Sequence, residues 1–192
     1  MPAEKPRART SAADIRTSLV AAGRRIVERD GASALTVRAV ATEAGVAPMG
    51  VYNHFAGKDG LISAVATDGF AEFGDAIAQT DADAVDRLRN SGMAYRRFAL
   101  ANPAMYGLMF DGHSAPDPLV AENAFSVITD IIRYGQVAGV IRSGDAQALA
   151  SHTWAAVHGA VSLEITAPRP SDADPAEIYN GLLDMVARGL AA

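Results

Sequence analysis

Thr36, Arg38, Tyr52, Asn53, His54 and Lys58 fall in one short stretch, and each can donate a hydrogen bond to an anionic oxygen. Donors of this kind hold phosphate or carboxylate. They do not pair a nucleophile with a base, and no other part of the chain supplies that pairing. The absence of cysteine excludes disulfides, thiolate nucleophiles and thiolate metal sites. His152, His158 and Glu164 are separated by steps of six residues, which do not share a helix face as an i, i+4 pair of metal ligands does. No Ser-His-Asp order, Gly-rich phosphate loop or paired-carboxylate arrangement stands out. The expectation is a protein with no enzymatic activity, no metal and no cofactor.

The elements that must present these donors are short helices. Ile15, Leu19, Ala22 and Ile26 follow helical spacing and predict a helix from about Asp14 to Asp30, stopped by Gly31. Thr36 is a good N-cap for a second helix whose inner stripe is Val37, Val40 and Ala41. Gly45 allows a sharp turn, and Pro48 fits the first turn of a third helix ending near His54 and Phe55. Two short helices joined by a tight glycine turn form a helix-turn-helix. Val46, Val51 and Phe55 then point inward, leaving Met49, Gly50, Tyr52 and Asn53 outward or sideways.

Such a helix fits the major groove of DNA. Ala47, Pro48, Met49 and Gly50 are small or apolar, so the backbone can come close to base edges and thymine methyls. Thr36 at a helix start, with Tyr52 and His54, can hold phosphate, and Lys58 adds its charge to the positive end of a fourth helix. Arg38 is the candidate for a base-edge or minor-groove contact. Other roles compete: Tyr52 as a packing residue, His54 as a brace for the turn, Asn53 as a solvated face. Positions 47–51 hold no Arg or Gln, so specificity leans on DNA shape, methyl contacts and a basic arm.

The run Thr36-Val-Arg-Ala-Val-Ala-Thr-Glu-Ala-Gly-Val-Ala-Pro-Met-Gly-Val-Tyr-Asn-His-Phe-Ala-Gly-Lys-Asp-Gly-Leu61 resembles the DNA-binding signature of the TetR family of bacterial regulators, over roughly residues 14–65. Trp154 to Gly159, with Asn102 to Tyr106 before it, resembles the C-terminal domain of the subgroup named for its Trp-His-Gly motif. The resemblance implies a ligand cavity in the C-terminal domain, dimerisation through the last two long helices, and repression of transcription.

The C-terminal part carries further helical patterns at about 58–79, 84–101, 103–110, 118–140, 145–166 and 175–190, interrupted at Pro103, Pro116 to Pro118, Gly144 and Pro168 to Pro170. No alternating apolar run argues for a sheet. The expected fold is all-α: an N-terminal three-helix helix-turn-helix domain followed by a helical ligand-binding and dimerisation domain. Phe98, Met105, Tyr106, Met109 and Phe110 gather around the Pro103 break, where Met- and aromatic-rich helices leave pockets. Phe125 and Thr129 supply another wall, and Trp154 and His158 share a helix face, either as ligand contacts or as packed core. Leu149, Val161, Leu163, Ile178, Leu182, Leu183, Val186 and Leu190 put apolar residues on more than one face of the last helices, which suggests a partner.

Charge separates the chain. Residues 1–60 hold nine basic and six acidic side chains, +3, whereas the rest holds eight basic and sixteen acidic, −8. A basic head on an acidic body suits a polyanion-binding module attached to a domain with another task. The expected organisation is a flexible basic arm over 1–13, a DNA-binding domain over 14–60 and a ligand-binding and dimerisation domain over 61–192. The expected partners are a palindromic double-stranded DNA operator, a small apolar or amphipathic effector and a second copy of the chain. A ligand-independent or architectural DNA-binding protein is the alternative. No stretch approaches the roughly 18 to 20 apolar residues of a membrane span, and no apolar leader is seen, so no membrane partner and a cytoplasmic location are expected.

Overall fold

The computed structural model describes residues 11–167 and 174–192, and among these every regular element is helical apart from one isolated bridge. Lys5, Arg7 and Arg9 of the expected basic arm, and the Pro168 to Pro170 break, lie outside the described residues.

Helix α1 (Ala12–Asp30) starts two residues before the point its apolar spacing suggests. The reason is a capping box: Ser11 accepts from the Asp14 N–H at 3.1 Å, and the Asp14 carboxylate accepts from the Ser11 N–H at 3.2 Å. A 3₁₀ turn over Ala32–Ala34 leads to α2 (Val37–Glu43), whose N-cap Thr36 accepts from the Ala39 N–H at 3.2 Å. Gly45 turns the chain with φ 69°, a left-handed conformation that suits glycine. Helix α3 (Pro48–Tyr52) is shorter than expected, because the His54 and Phe55 N–H groups both bond the Val51 carbonyl and close the last turn.

Helix α4 (Gly57–Ile77) runs from the head into the body and buries Leu61, Val65, Phe70, Phe73 and Ile77. Helices α5 (Ala84–Ala101) and α6 (Pro103–Phe110) are separated by the Pro103 break, and α7 (Pro118–Val137) and α8 (Ala146–Thr166) follow. Helix α7 stops three residues early at a glycine turn: Val140 and Ile141 N–H groups both return to the Gly135 carbonyl. Helix α9 (Pro175–Leu190) closes the chain, and the Arg142 N–H to Leu190 carbonyl bond at 2.8 Å pins its end to the α7–α8 turn. Asp83, Asp117, Asp145 and Asp174 cap α5, α7, α8 and α9 by accepting from first-turn N–H groups.

The core is continuous from head to body. In the head, Leu19, Ile26, Val27, Leu35, Val40, Val51, Leu61 and Val65 are buried together. In the body, the Phe73 ring meets Tyr95 edge-on at 4.9 Å and Phe98 at 5.3 Å. Helix α4 approaches α7 closely at Gly74, where a β-carbon would lie 3.2 Å from the Ala124 Cα. No described helix is long and apolar enough to cross a membrane.

Candidate functional site

The first site is the outer edge of α2 and α3. Val51 is fully buried and Phe55 nearly so, while Val46 is half-buried against the core; these three anchor the turn from inside. Anchoring them forces the rest of α3 outward. Met49 is 67% exposed and Tyr52 56%, an unusual share of surface for large apolar-bodied residues. Thr36, Arg38, Pro48, Asn53 and Lys58 are also exposed, and Gly50 and His54 are half-buried. The donors named from sequence therefore emerge on the helix-turn-helix surface and its flanks.

Ion pairing sorts the basic residues of the head. Arg24 bonds Glu28 at 2.7 Å and Asp68 at 3.2 Å, and also pairs with Glu72, so one guanidinium links α1 to α4. Arg25 and Arg29 reach across to Glu43 of α2 at 2.9 and 3.3 Å, and Arg29 also holds Asp30. These pairs hold the Glu43 carboxylate below its usual range, the Arg25 hydrogen bond contributing most. Three of the arginines behind the +3 excess are thus structural. Arg38 and Lys58 make no ion pair among the described residues, which leaves their charge for another partner. Arg16 is a cation that reasoning from sequence passed over as a site residue: it is exposed and its guanidinium sits 5.1 Å from the centre of the Phe55 ring. Its position on α1 gave no local signal, because the fold alone brings it to the end of α3.

The second site is in the body. Trp154, His158, Phe110, Phe125 and Tyr106 form one aromatic group, with Trp154 5.0 Å from both Phe125 and His158 and Phe110 4.7 Å from His158. Three cavities surround it. One of about 120 Å³ lies between α5, α7, α8 and α9 and touches Tyr95 and Trp154. A second, about 310 Å³, is walled by Phe125, Thr129, Gln147 and Trp154. A third, about 180 Å³, is walled by Tyr106, Phe110, His158 and Ser162. Phe98, Met105 and Met109 line none of the three. Phe98 packs on Phe73, and both thioethers sit where a β-carbon on Gly69 would come within 3.0 Å, so they fill the space that the Pro103 break opens.

A hydrogen-bonded chain of buried polar groups crosses this region. Tyr106 Oη lies 2.7 Å from His158 Nδ1; Tyr95 Oη lies 3.0 Å from the same nitrogen and 3.1 Å from Tyr106 Oη. In the tautomer that carries its lone pair on Nδ1, Tyr106 donates to that nitrogen at the shorter distance and Tyr95 donates to the Tyr106 oxygen. Burial lowers the His158 pKa, which keeps the ring neutral and suits this arrangement. Burial also raises both tyrosine hydroxyls above their ordinary range, with Tyr106 adding to the effect on Tyr95. Tyr95 is the functional candidate that the sequence hid, since nothing in its spacing joins it to His158. Beside this chain the Trp154 indole N–H is buried; it meets no acceptor in ordinary hydrogen-bond geometry, and the Tyr95 hydroxyl is the polar group it acts on.

Glu164 is engaged elsewhere, bonded twice by Arg96 at 2.8 and 2.6 Å, and His152 is exposed. Among the described residues no group of three potential ligands could hold a metal ion.

Residues 88–186 match the model of the tetracyclin repressor-like C-terminal domain, and residues 19–65 match that of the bacterial regulatory proteins of the tetR family. The HTH-type transcriptional regulators Rv1816 of Mycobacterium tuberculosis and Mb1846 of Mycobacterium bovis are each 26% identical to the chain, over 92% of both chains. Among solved structures, a protein of unknown function from Rhodococcus sp. RHA1 is similar at 28% identity, with a TM-score of 0.81 and coverage of 98% of this chain and all of that one. A bacterial regulatory protein in the tetR family from Rhodococcus RHA1 shares the fold at 23% identity and a TM-score of 0.67, covering 93% of this chain and 97% of its own.

Proposed function

From the premise that this chain belongs to the TetR family of bacterial transcriptional regulators, which bind DNA, we propose that it is a dimeric, ligand-responsive repressor acting on a palindromic operator in the cytoplasm. The observation that carries the reading is the exposed edge of α3. Met49 and Tyr52 stand in solvent there, flanked by unpaired Arg38 and Lys58. Thr36, Tyr52, His54 and Lys58 hold phosphates, Arg38 reaches a base edge or the minor groove, and Pro48, Met49, Gly50 and Asn53 meet the groove floor. We divide the chain into an arm over 1–13, a DNA-binding domain over 14–60 and a ligand-binding and dimerisation domain over 61–192, and place it with the Trp-His-Gly subgroup.

Dimerisation draws support from the outer faces of α8 and α9. Leu163 is 64% exposed, Ile178 59% and Met185 57%. Gly159 and Gly181 have open space where a side chain would be, so a second copy's helices can approach closely. The two recognition helices would then enter successive major grooves about 34–36 Å apart. An effector that favours one head separation over another changes operator affinity, and DNA changes effector affinity by the same factor. The cavities around Trp154 favour this over a ligand-independent DNA-binding protein, which needs only a solid core.

The test is a titration of the purified chain onto double-stranded DNA selected from random sequence. Enrichment of a palindrome with two half-sites one helical turn apart is expected. Recovery of no preferred sequence would remove the reading.

A further inference from the structure

The cavity of about 180 Å³ lies between α6 and the C-terminal half of α8. Pro103, Phe110 and Ile165 make much of its wall apolar, and none of the described residues that line it carries a fixed charge. On the α6 side, Gly107 leaves open space where a side chain would stand. The Thr166 hydroxyl is spent on the Ser162 carbonyl at 2.7 Å. His158 Nε2 meets only the Ser162 hydroxyl, at 3.4 Å, the far end of hydrogen-bond range.

Burial keeps His158 neutral, with one ring proton to place. Around Nδ1 stand the Tyr95 and Tyr106 hydroxyls, and the Trp154 indole acts on Tyr95. Indole nitrogen only donates. If Nδ1 keeps its lone pair, each hydrogen has a place: indole toward Tyr95, Tyr95 to Tyr106, Tyr106 to Nδ1. A proton on Nδ1 would add a donor to this group and remove an acceptor. The 2.7 Å from Tyr106 Oη to Nδ1 is also the length of a hydroxyl-donated bond, shorter than most that an N–H donates. The ring proton therefore sits on Nε2. Because the tyrosines enclose the Nδ1 edge, the Nε2 edge is the part of this half-buried ring that reaches the cavity.

We propose that this cavity binds a small uncharged molecule whose carbonyl-type oxygen accepts hydrogen bonds from the His158 Nε2–H and the Ser162 hydroxyl. The inference rests on the ligand-responsive reading above and names the chemistry of its effector. An engineered apolar cavity of about 150 Å³ takes benzene, so this one holds about seven non-hydrogen atoms. Neutrality follows from the wall. A carboxylate would leave water for a lining without a fixed cation among the described residues, beside the last turn of α8, whose dipole end is negative. An ammonium would bring donors to a donor. Phe110 meets Phe70 of α4 edge-on at 5.3 Å, so an occupant against it bears on the helix that leads to the head.

Pinacolone, triptane and pivalate share a tert-butyl group, match in size and differ as ketone, hydrocarbon and carboxylate. Each is titrated at about pH 8 into the full-length protein labelled with nitrogen-15 in histidine. A two-bond proton–nitrogen spectrum separates bare from protonated ring nitrogens. Loss of signals in His158→Asn, or their displacement in Ser162→Ala, identifies that ring among the four histidines. The free protein should show the proton on Nε2. The ketone should bind about tenfold more tightly than the hydrocarbon and move the Nε2 signal, and pivalate should bind more weakly than the ketone. Gly107→Leu fills the open space on α6 and should abolish ketone binding. A proton on Nδ1, equal binding of ketone and hydrocarbon, preference for pivalate, or no binding of any would overturn the proposal without recourse to that variant. Ketone binding that leaves the Nε2 signal in place, or that survives in folded Gly107→Leu, would do the same. Operator release separates this from the wider reading: if some other compound releases DNA while pinacolone does not bind, only the chemistry proposed here is lost. If a library of small metabolites never shifts operator affinity, the ligand-responsive reading itself is lost.

Discussion

Single residues carry opposite tasks in the two halves of the chain. In the head, the proposed DNA contacts are donors left in water. Replacing Tyr52 with Phe and Lys58 with Ala together should weaken binding to all duplexes alike, and the lost Lys58 charge should lower the slope of log affinity against log salt by about one unit. Fluorescence anisotropy at several salt concentrations measures this; an unchanged slope would return Lys58 to ordinary surface, and unchanged affinity would do the same for Tyr52. In the body, the candidate polar groups are kept from water. Burial lowers the His158 pKa from its usual value of 6.5. Above that value the ring is neutral in both folded and unfolded chains. Below it the unfolded chain takes up the proton first, so stability falls as pH drops through the lowered folded value. His158→Asn keeps an acceptor for Tyr106 but does not titrate. Its denaturation midpoint should therefore lose less between roughly pH 7 and pH 5 than that of the wild type.

At the scale of helices, most of the architecture was legible. Periodic apolar positions and the turn residues Gly31, Gly45, Pro48, Pro103 and Pro118 located the described α-helices to within a few residues. The misses have physical causes. The Ser11–Asp14 box extended α1 backward, and glycine turns drew the end of α7 in by three residues. The helix-turn-helix surface was legible because its signature is local in sequence. The body cavity was legible only in part: Trp154, His158, Tyr106, Phe110, Phe125 and Thr129 reach a cavity wall, but Phe98, Met105 and Met109 pack the core. Composition can nominate apolar residues for a pocket, but which of them are filled in by neighbours depends on contacts between distant helices. Tyr95 and Arg16 were missed for the same reason. The closeness of α4 to α7 gives a test at this scale. Gly74→Ala sets a methyl against the Ala124 backbone, which cannot rotate away, and should destabilise the protein by about 1–3 kcal/mol, seen as a lower denaturant midpoint.

At the scale of the molecule, α4 runs from the first site to the aromatic group of the second, where Phe70 packs on Phe110 and Phe125. Its first turn carries Lys58, its middle holds the α6–α7 loop through the Asp117 N–H bond to Thr67 Oγ1 at 2.9 Å, and its later turns meet α7 at Gly74. An occupant that displaces α7 therefore has a mechanical route to the head. The assembly is tested on the opposite face. Leu163→Glu combined with Met185→Glu places charge on the proposed interface without touching the core. Sedimentation should show monomer, and operator affinity should fall while weak half-site binding survives. The Arg24 clamp has its own bearing on such titrations. Rising ionic strength weakens the protein's hold on phosphate and, by the same screening, slackens the half-exposed Asp68 and Glu72 carboxylates that join α1 to α4. Electrolyte then acts on the stiffness of the reader as well as on its grip, and apparent affinity should decline more steeply than a tally of touched phosphates accounts for.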